Sequence, residues 1–380
     1  MKLLGNLDCE ARWAGVALPE AVRRRISLYA TLFAACAPDE TSDAREPDGH
    51  DASAGNGGHG VEEAHTHRNR VSAPHEIWVP SLVDPAGDGR HVMGEAHTHR
   101  NRVSTPHEIW VPAPVDPARL VAHPGWAPPI VRTGEPPRSF DLMWADPAAK
   151  DANDRSRALA IAQSLGVALP GACVVASLAE LEAHVAGWIR SDDRPWICKA
   201  RWTAAGRDRA RGVGRRVDGE LRARLARLFE RFGPLVLEPW MDRIADIGVC
   251  GDIAVGGEIT LAEPHRLLTD PRGGFLGIDL APVDRAIAEP LRATAHAAAT
   301  AVAIQTAYRG PFAIDAFVYR DSTGQHLHPL CELNARHTFG WIAHALARRL
   351  GIRRLGFDAP PTGATVLIAP GADRITAWCA

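Results

Sequence analysis

Lysine is nearly absent from this chain: of its 43 basic residues only Lys2, Lys150 and Lys199 are lysines, and the rest are arginines. Where lysine persists in so arginine-rich a sequence, a compact, rotatable ammonium is called for in place of a planar fork. An excess of positive charge is missing too. The 43 basic residues face 45 acids, giving a formal charge of -2 and a pI near 6.8, which excludes whole-molecule attraction to nucleic acid or to an anionic membrane. The seven cysteines include no CxxC pair and are odd in number, so they read as reduced core thiols and not as a disulfide framework. No apolar run approaches about 18 residues, and MKLLGNLDCEARW carries an acid where a signal peptide needs apolar residues. A soluble, cytoplasmic protein is expected.

The 380 residues suffice for two or three domains with a sizeable core. LLGNLDCEARWAG followed by PEAVRRRISLYATLFAACAP reads as a short strand and an amphipathic helix, an α/β beginning. From about Thr41 the composition turns to Asp, Gly, Ser, His and Pro, and periodicity returns only near Glu108. This stretch, about 41–107, reads as a low-order insertion. It carries a duplication: residues 63–86 and 95–118 differ at three aligned positions, 32 residues apart. A solenoid needs at least three units, so a tandem duplication in a loop is the simpler account. EAHTHRNRVS occurs in both copies. His65 with His67, and His97 with His99, would share a face of an extended strand and suit a borderline metal, with His75, His91 and His107 as further ligands. Nothing fixes a tetrahedral set, and the first copy reads as surplus.

From Asp151 the pattern is regular. NDRSRALAIAQSLG is a helix capped at Asn153 or Asp154 and stopped by Gly166, and Ser177 and Glu180 stand in capping-box spacing. PWICKAR and PLVLEPWM read as buried strands, and DIAVGGEITLAE as a hairpin. A long alanine-rich helix precedes the last hairpin, GPFAIDAFVYRDSTGQHLHPLCELNAR. If that hairpin turns around Ser322 to Gly324, Asp315 faces Glu332, and Asn334 shares the face of Glu332 because strand side chains alternate. Like charges directly opposed are destabilising. Two carboxylates and a carboxamide on one face form a set of hard oxygen donors suited to Mg²⁺ bridged by phosphate. Upstream, Lys199 heads the loop WTAAGRDRARGVGRR, whose small residues admit phosphates to backbone amides and to the ammonium. Glu238 ends a strand and Asp246 follows, a spacing open to adenine and ribose.

In this order the pieces resemble the ATP-grasp superfamily over roughly residues 151–351. The resemblance implies an α/β (α+β) chain: a small Rossmann-like N-terminal domain over 1–145, an ATP-grasp domain over 146–355 whose two α+β subdomains clasp ATP, and a C-terminal tail over 356–380. It implies that Lys199 holds the nucleotide phosphates beneath a flap, Thr203 to Arg209, which contains Ala205, Gly206 and Arg207. Glu238 meets the adenine amino group, Trp240 and Met241 form the backbone hinge, and Asp246 takes the ribose. Asp315, Glu332 and Asn334 bind Mg²⁺ or Mn²⁺, and Arg336 lies just past them. The first phosphate cation falls at Arg155, with Lys150 five residues earlier, and either fits.

Family members activate a carboxylate with the γ-phosphate of ATP and pass it to an amine or a related nucleophile. The metal, Lys199, Arg207 and Arg209 would cancel the repulsion between two anions, and Arg336 would orient the carboxylate. His265 and Arg266 are candidate substrate contacts. The implied partners are small acids and amines, amino acids or peptides among them, with a homodimer admitted and neither nucleic acid nor membrane expected. A phosphotransferase on the same nucleotide site and a catalytically idle ATP-binding module are the competing readings.

Overall fold

The computed structural model describes residues 2–4, 9–14, 17–36, 108–123, 126–133, 146–188, 194–202, 208–270 and 274–380. The expected insertion, both histidine-rich phrases, the first repeat copy and the flap residues Thr203 to Arg207, with Ala205, Gly206 and Arg207, lie outside them.

The N-terminal part contains β1 (Lys2–Leu4), α1 (Cys9–Trp13), α2 (Glu20–Ala30), a 3₁₀ segment (Thr31–Cys36), β2 (Glu108–Val111) and β3 (Ile130–Thr133). β2 lies between β1 and β3 and runs parallel to both, so each step across the sheet needs a crossover. Ile109 and Val111 alternate inward along β2 and pack with Leu28, Leu32 and Phe33. The strand therefore comes from the second copy of the repeat.

Next come α3 (Pro147–Ala152), α4 (Arg155–Ser164), β4 (Cys173–Val175), α5 (Leu178–Trp188), β5 (Pro195–Ala200), β6 (Arg209–Val213), α6 (Gly219–Phe232) and β7 (Leu235–Pro239). Asp154 is the cap of α4 and accepts from the Ser156 amide at 2.8 Å, while Gly166 takes φ 71° beyond its end, a left-handed turn that glycine enters without penalty. The strands form an antiparallel sheet in the order β4-β7-β5-β6. Alternation divides β5 cleanly: Trp196, Cys198 and Ala200 are buried among Leu181, Leu225, Leu235 and Leu237 on the α5 and α6 side, which leaves Ile197 and Lys199 to the opposite face.

The remaining elements are β8 (Asp242–Ile253), β9 (Ile259–Leu261), β10 (His265–Thr269), β11 (Phe275–Asp279), α7 (Arg285–Thr306), β12 (Gly310–Asp321), β13 (Gly324–Asn334), α8 (Phe339–Leu350), β14 (Arg354–Gly356), β15 (Thr365–Ile368) and β16 (Ala377–Cys379). They build a nine-stranded sheet ordered β13-β12-β8-β10-β11-β14-β16-β15, with β9 on β8. Residues 356–380, expected as a tail, are part of this sheet: β16 pairs with β14 and with β15. One face carries α3, α4 and α7. Leu291, Ala295, Ala298, Ala299 and Val302 make the buried stripe of α7, at the spacing of a single helical face. The other face carries α8 together with α2, the 3₁₀ segment and β2. The chain is thus mixed α/β, and among its described residues no helix is long and apolar enough to cross a membrane.

Candidate active site

β12 and β13 bring Asp315 opposite Glu332 and Ala313 opposite Asn334. That facing pair is as the sequence predicts, but the path to it differs. Asp321 faces Gly324 around a tighter turn, and a step of two positions along β12, from Asp315 to Phe317, is matched by a step of four along β13, from Glu332 to His328. Pro329 lies within this irregularity; it has no N–H to give to a ladder and is tolerated at bulges. Beside it, Cys331 joins Glu332 on the cleft side and packs with Phe317 and Leu159.

Asp315 is surrounded by negative charge. Burial, Glu332 and Asp246 push its carboxyl up to about 7, against the opposing pull of Arg336 and the Asn334 amide. Asn334 donates to Asp315 at a long 3.4 Å, and Arg336 donates to the Asn334 carbonyl at 3.1 Å. Asp246 pairs with Phe317 and Gly248 pairs with Asp315, so Asp246 is one diagonal step from the acidic pair. It accepts from Arg243 at 2.9 Å and from Thr269 at 3.4 Å. A group of hard oxygens whose own charge works against it fits a divalent cation. Among the described residues no group of three His, Cys, Asp or Glu side chains is placed to hold a metal, and the two carboxylates here are joined by the Asn334 carboxamide.

On the β4-β7-β5-β6 sheet, the Lys199 ammonium lies 2.5 Å from the Glu238 carboxylate, and both side chains are largely buried. Burial opposes the charge of each. Their mutual attraction outweighs it, raising the lysine and lowering the glutamate from their ordinary values. Arg209 stands opposite Lys199 on β6 and lines a cavity of about 220 Å³ with Ile197, Arg211, Arg224 and Trp240. The Trp240 N–H donates to Pro195 at 3.0 Å, and Met241 packs against the apolar cluster of Leu159, Leu169, Ala172, Val236 and Phe317.

Arg155, at the start of α4, joins the two halves. It donates to Glu332 at 2.7 Å and to the carbonyl of Ala200, the residue after Lys199, at 2.8 Å. Lys150 is turned elsewhere, with its ammonium 5.1 Å over the Trp202 ring. The neighbours of Arg155 tie the same elements together. Asn153 donates to the carbonyls of Ala149 and Ala335 at 2.7 and 3.2 Å and accepts from the Ala335 amide at 2.9 Å. Buried Asp154 makes a two-point ion pair with Arg201.

His265 and Arg266 are corrected by the structure. His265 is 2% exposed, and a Cβ on Gly248 or Gly340 would come within 2.6 Å of its ring. Its Nδ1 lies 3.3 Å from His344 Nε2. Arg266, on the opposite side of β10, is paired in register with Asp279 and lowers that acid's pKa. His265 shares the sheet face of Asp315 but is buried away from any substrate, and Arg266 lies on the opposite face. Three cleft residues escape the sequence reading. Arg243 lies 4.0 Å over the Phe317 ring, Cys331 carries a thiol raised by burial, and His328 is held near a pKa of 4 by burial. His328 shares the parity of Glu332 and Asn334, which is the one signal that could have found it.

No family model matches the sequence, and no curated protein matches it. Among solved structures, the chain is similar to N5-carboxyaminoimidazole synthetase from Staphylococcus aureus complexed with ADP, at 11% identity, covering 61% of this chain and 64% of that one with a TM-score of 0.42. It is similar to the biotin carboxylase domain of 2-oxoglutarate carboxylase from Hydrogenobacter thermophilus in complex with MgADP, ADP and bicarbonate, at 16% identity, 62% of each chain and a TM-score of 0.43. It is also similar to a D-cycloserine synthetase, at 22% identity, 52% of this chain, 70% of that one and a TM-score of 0.37. The chain spans less than two thirds of the length of the first two.

Proposed function

We propose that this protein is an ATP- and Mg²⁺-dependent ligase of the ATP-grasp kind that activates a small carboxylic acid as an acyl phosphate for attack by an amine. The observation that carries the reading is the facing of Asp315 and Glu332, with Asn334 beside them, across a cleft from Lys199, with Arg155 touching both sides. A phosphate chain needs cations along its length and a metal at its reacting end. These side chains are disposed to hold both.

In this reading Lys199 and Arg155 hold phosphate oxygens, and Glu238, Trp240 and Met241 receive the adenine. Asp246 is in reach of the ribose, or of the metal's water shell. Asp315, Glu332 and Asn334 would hold Mg²⁺, which when bound supplies the charge that lets an anionic carboxylate approach the terminal phosphate. Arg336, already oriented by Asn334, positions the incoming carboxylate, and Arg207 and Arg209 add charge from the flap. No side chain of the cleft is needed as a general base, because positioning and electrostatics carry the reaction.

The test is ADP release by the full chain against a panel of amino acids and dipeptides, with hydroxylamine present. Acid-dependent ADP release with formation of a hydroxamate is expected, and Asp315→Asn or Lys199→Ala should abolish both. ADP release with a stable phosphate ester would instead make the protein a phosphotransferase. Mg·ATP that raises the melting temperature yet stays intact with every acid and amine would make it an idle nucleotide-binding module.

A further inference from the structure

We propose that Arg155 is a latch that keeps divalent metal out of the nucleotide-free cleft, by occupying Glu332 until a phosphate chain draws the guanidinium away. The inference rests on the nucleotide reading of the cleft given above and adds an order of binding to it.

The geometry has three parts. First, Arg155 Nη2 lies 2.7 Å from Glu332 Oε1, with the arginine side chain only 11% exposed. A charge-assisted bond of this kind, partly screened from water, is among the stronger polar contacts a protein makes. Second, Arg155 Nη1 is anchored at 2.8 Å to the carbonyl of Ala200, directly after Lys199. The guanidinium is therefore pinned at the end of the strand that carries the phosphate lysine, and a short rotation exchanges one anionic oxygen, on Glu332, for another, on a phosphate. Third, the oxygens of this set are already engaged within the protein: Glu332 by Arg155, Asn334 by Arg336, and Asp315 by the charge of Arg336 and the long Asn334 contact.

The consequence is a coupling between two ligands. A phosphate chain that takes Arg155 releases Glu332, and the released carboxylate, with Asp315 and phosphate oxygens, completes an oxygen shell. Coupling of this kind is reciprocal, so metal should tighten nucleotide as much as nucleotide tightens metal. An arginine serving only as a phosphate ligand would leave the metal affinity of the empty protein untouched.

The experiment measures Mn²⁺ binding to the nucleotide-free full-length protein by the electron paramagnetic resonance signal of free Mn²⁺, and ADP binding in EDTA by calorimetry. For Arg155→Met the latch requires opposite signs: Mn²⁺ binds about tenfold tighter than to wild type, and metal-free ADP binds about tenfold more weakly, the scale expected for one charge-assisted bond. Glu332→Gln should do the reverse, losing Mn²⁺ and gaining ADP affinity, so the proposal stays testable if either variant fails to fold. Unchanged or weaker Mn²⁺ binding in Arg155→Met overturns it, as does, where wild type binds ADP, unchanged or weaker ADP binding in Glu332→Gln. If wild type binds no ADP while Arg155→Met still tightens Mn²⁺, the latch stands and the nucleotide reading falls.

Discussion

The Lys199 ammonium and the Glu238 carboxylate, 2.5 Å apart and set diagonally on β5 and β7, neutralise each other while largely buried, with Val236 and Phe317 in the adjoining apolar cluster. Removing one member leaves a buried charge alone, which costs far more than the pair contributes. Lys199→Met is therefore expected to destabilise the protein by about 3 kcal/mol, and the double variant Lys199→Met with Glu238→Gln by clearly less than that. Urea unfolding of the two variants checks this. Equal losses would mean that the ion pair is not shielded from solvent.

Asp315 calls for the opposite result. Its carboxyl is raised to about 7 by burial and by Glu332, so at pH 8 the folded protein holds a charge it would rather lose. Asp315→Asn keeps the shape and removes the repulsion. The variant should be more stable than wild type at pH 8, by roughly 1 kcal/mol or more, and should gain no melting temperature from Mg·ADP. At pH 5 the stability gain should be smaller, and it should vanish only below about pH 4, where Asp315 is protonated in the unfolded chain as well as in the folded one.

Acid sensitivity follows from four buried imidazoles. Burial lowers His265 to about 3, and His328, His337 and His344 to about 4. A depressed folded pKa contributes stability that is complete above the unfolded value, near 6.5, and is lost as pH falls toward 4. Asp315, and Asp252 raised to about 6, act in the other direction, since the folded state binds their protons first. Four losses against two gains leave a net decline of roughly 2 kcal/mol per pH unit near pH 5. Chemical unfolding across pH 7 to 4 tests the slope. Asp315→Asn removes one opposing group, so its slope should be steeper than that of wild type.

Local signals explain what the sequence made readable. Capping at Asp154, the Gly166 stop, the Gly256 and Gly257 turn and the stripe of α7 depend on neighbours within a few residues. The facing of Asp315 and Glu332 was within reach because a single turn joins their strands. The bulge at Pro329 was not, because periodicity alone does not locate an irregular stretch of ladder, and two offsets cancelled to leave the predicted pair intact. Ion-pair partners were hidden for a different reason: Arg155 with Glu332 and Asp154 with Arg201 are separated by 177 and 47 residues, so only the assembled sheets create them. The pairing of residues 356–380 with β14 is likewise a long-range fact that no local pattern carries.

The duplicated segment gives the last prediction. β2 is drawn from the second copy, and what fixes that copy lies partly at a position where the copies differ and partly just beyond the repeated text. The Ala113 amide donates to Ser27 Oγ at 2.8 Å. Arg119 binds the Ala369 carbonyl at 3.0 Å, Asp373 at 2.9 Å and the carbonyl of Ile375, and Leu120 bridges to Ile368. At the aligned positions the first copy has Ser81, Gly87 and Asp88, which offer neither the guanidinium nor the apolar contact. Deleting residues 63–94 removes one repeat unit, keeps every anchor and shortens the connection from Cys36 to Glu108 by nearly half. A shorter loop costs less to close, by about 0.5 kcal/mol for such a change. The deletion protein should therefore unfold at the same urea concentration as the full chain or slightly above it. Arg119→Ala, which leaves the repeat intact, should lower stability by about 2 kcal/mol through the carbonyls and the carboxylate it abandons. A deletion protein that loses more stability than Arg119→Ala would show that the first copy takes part in the fold.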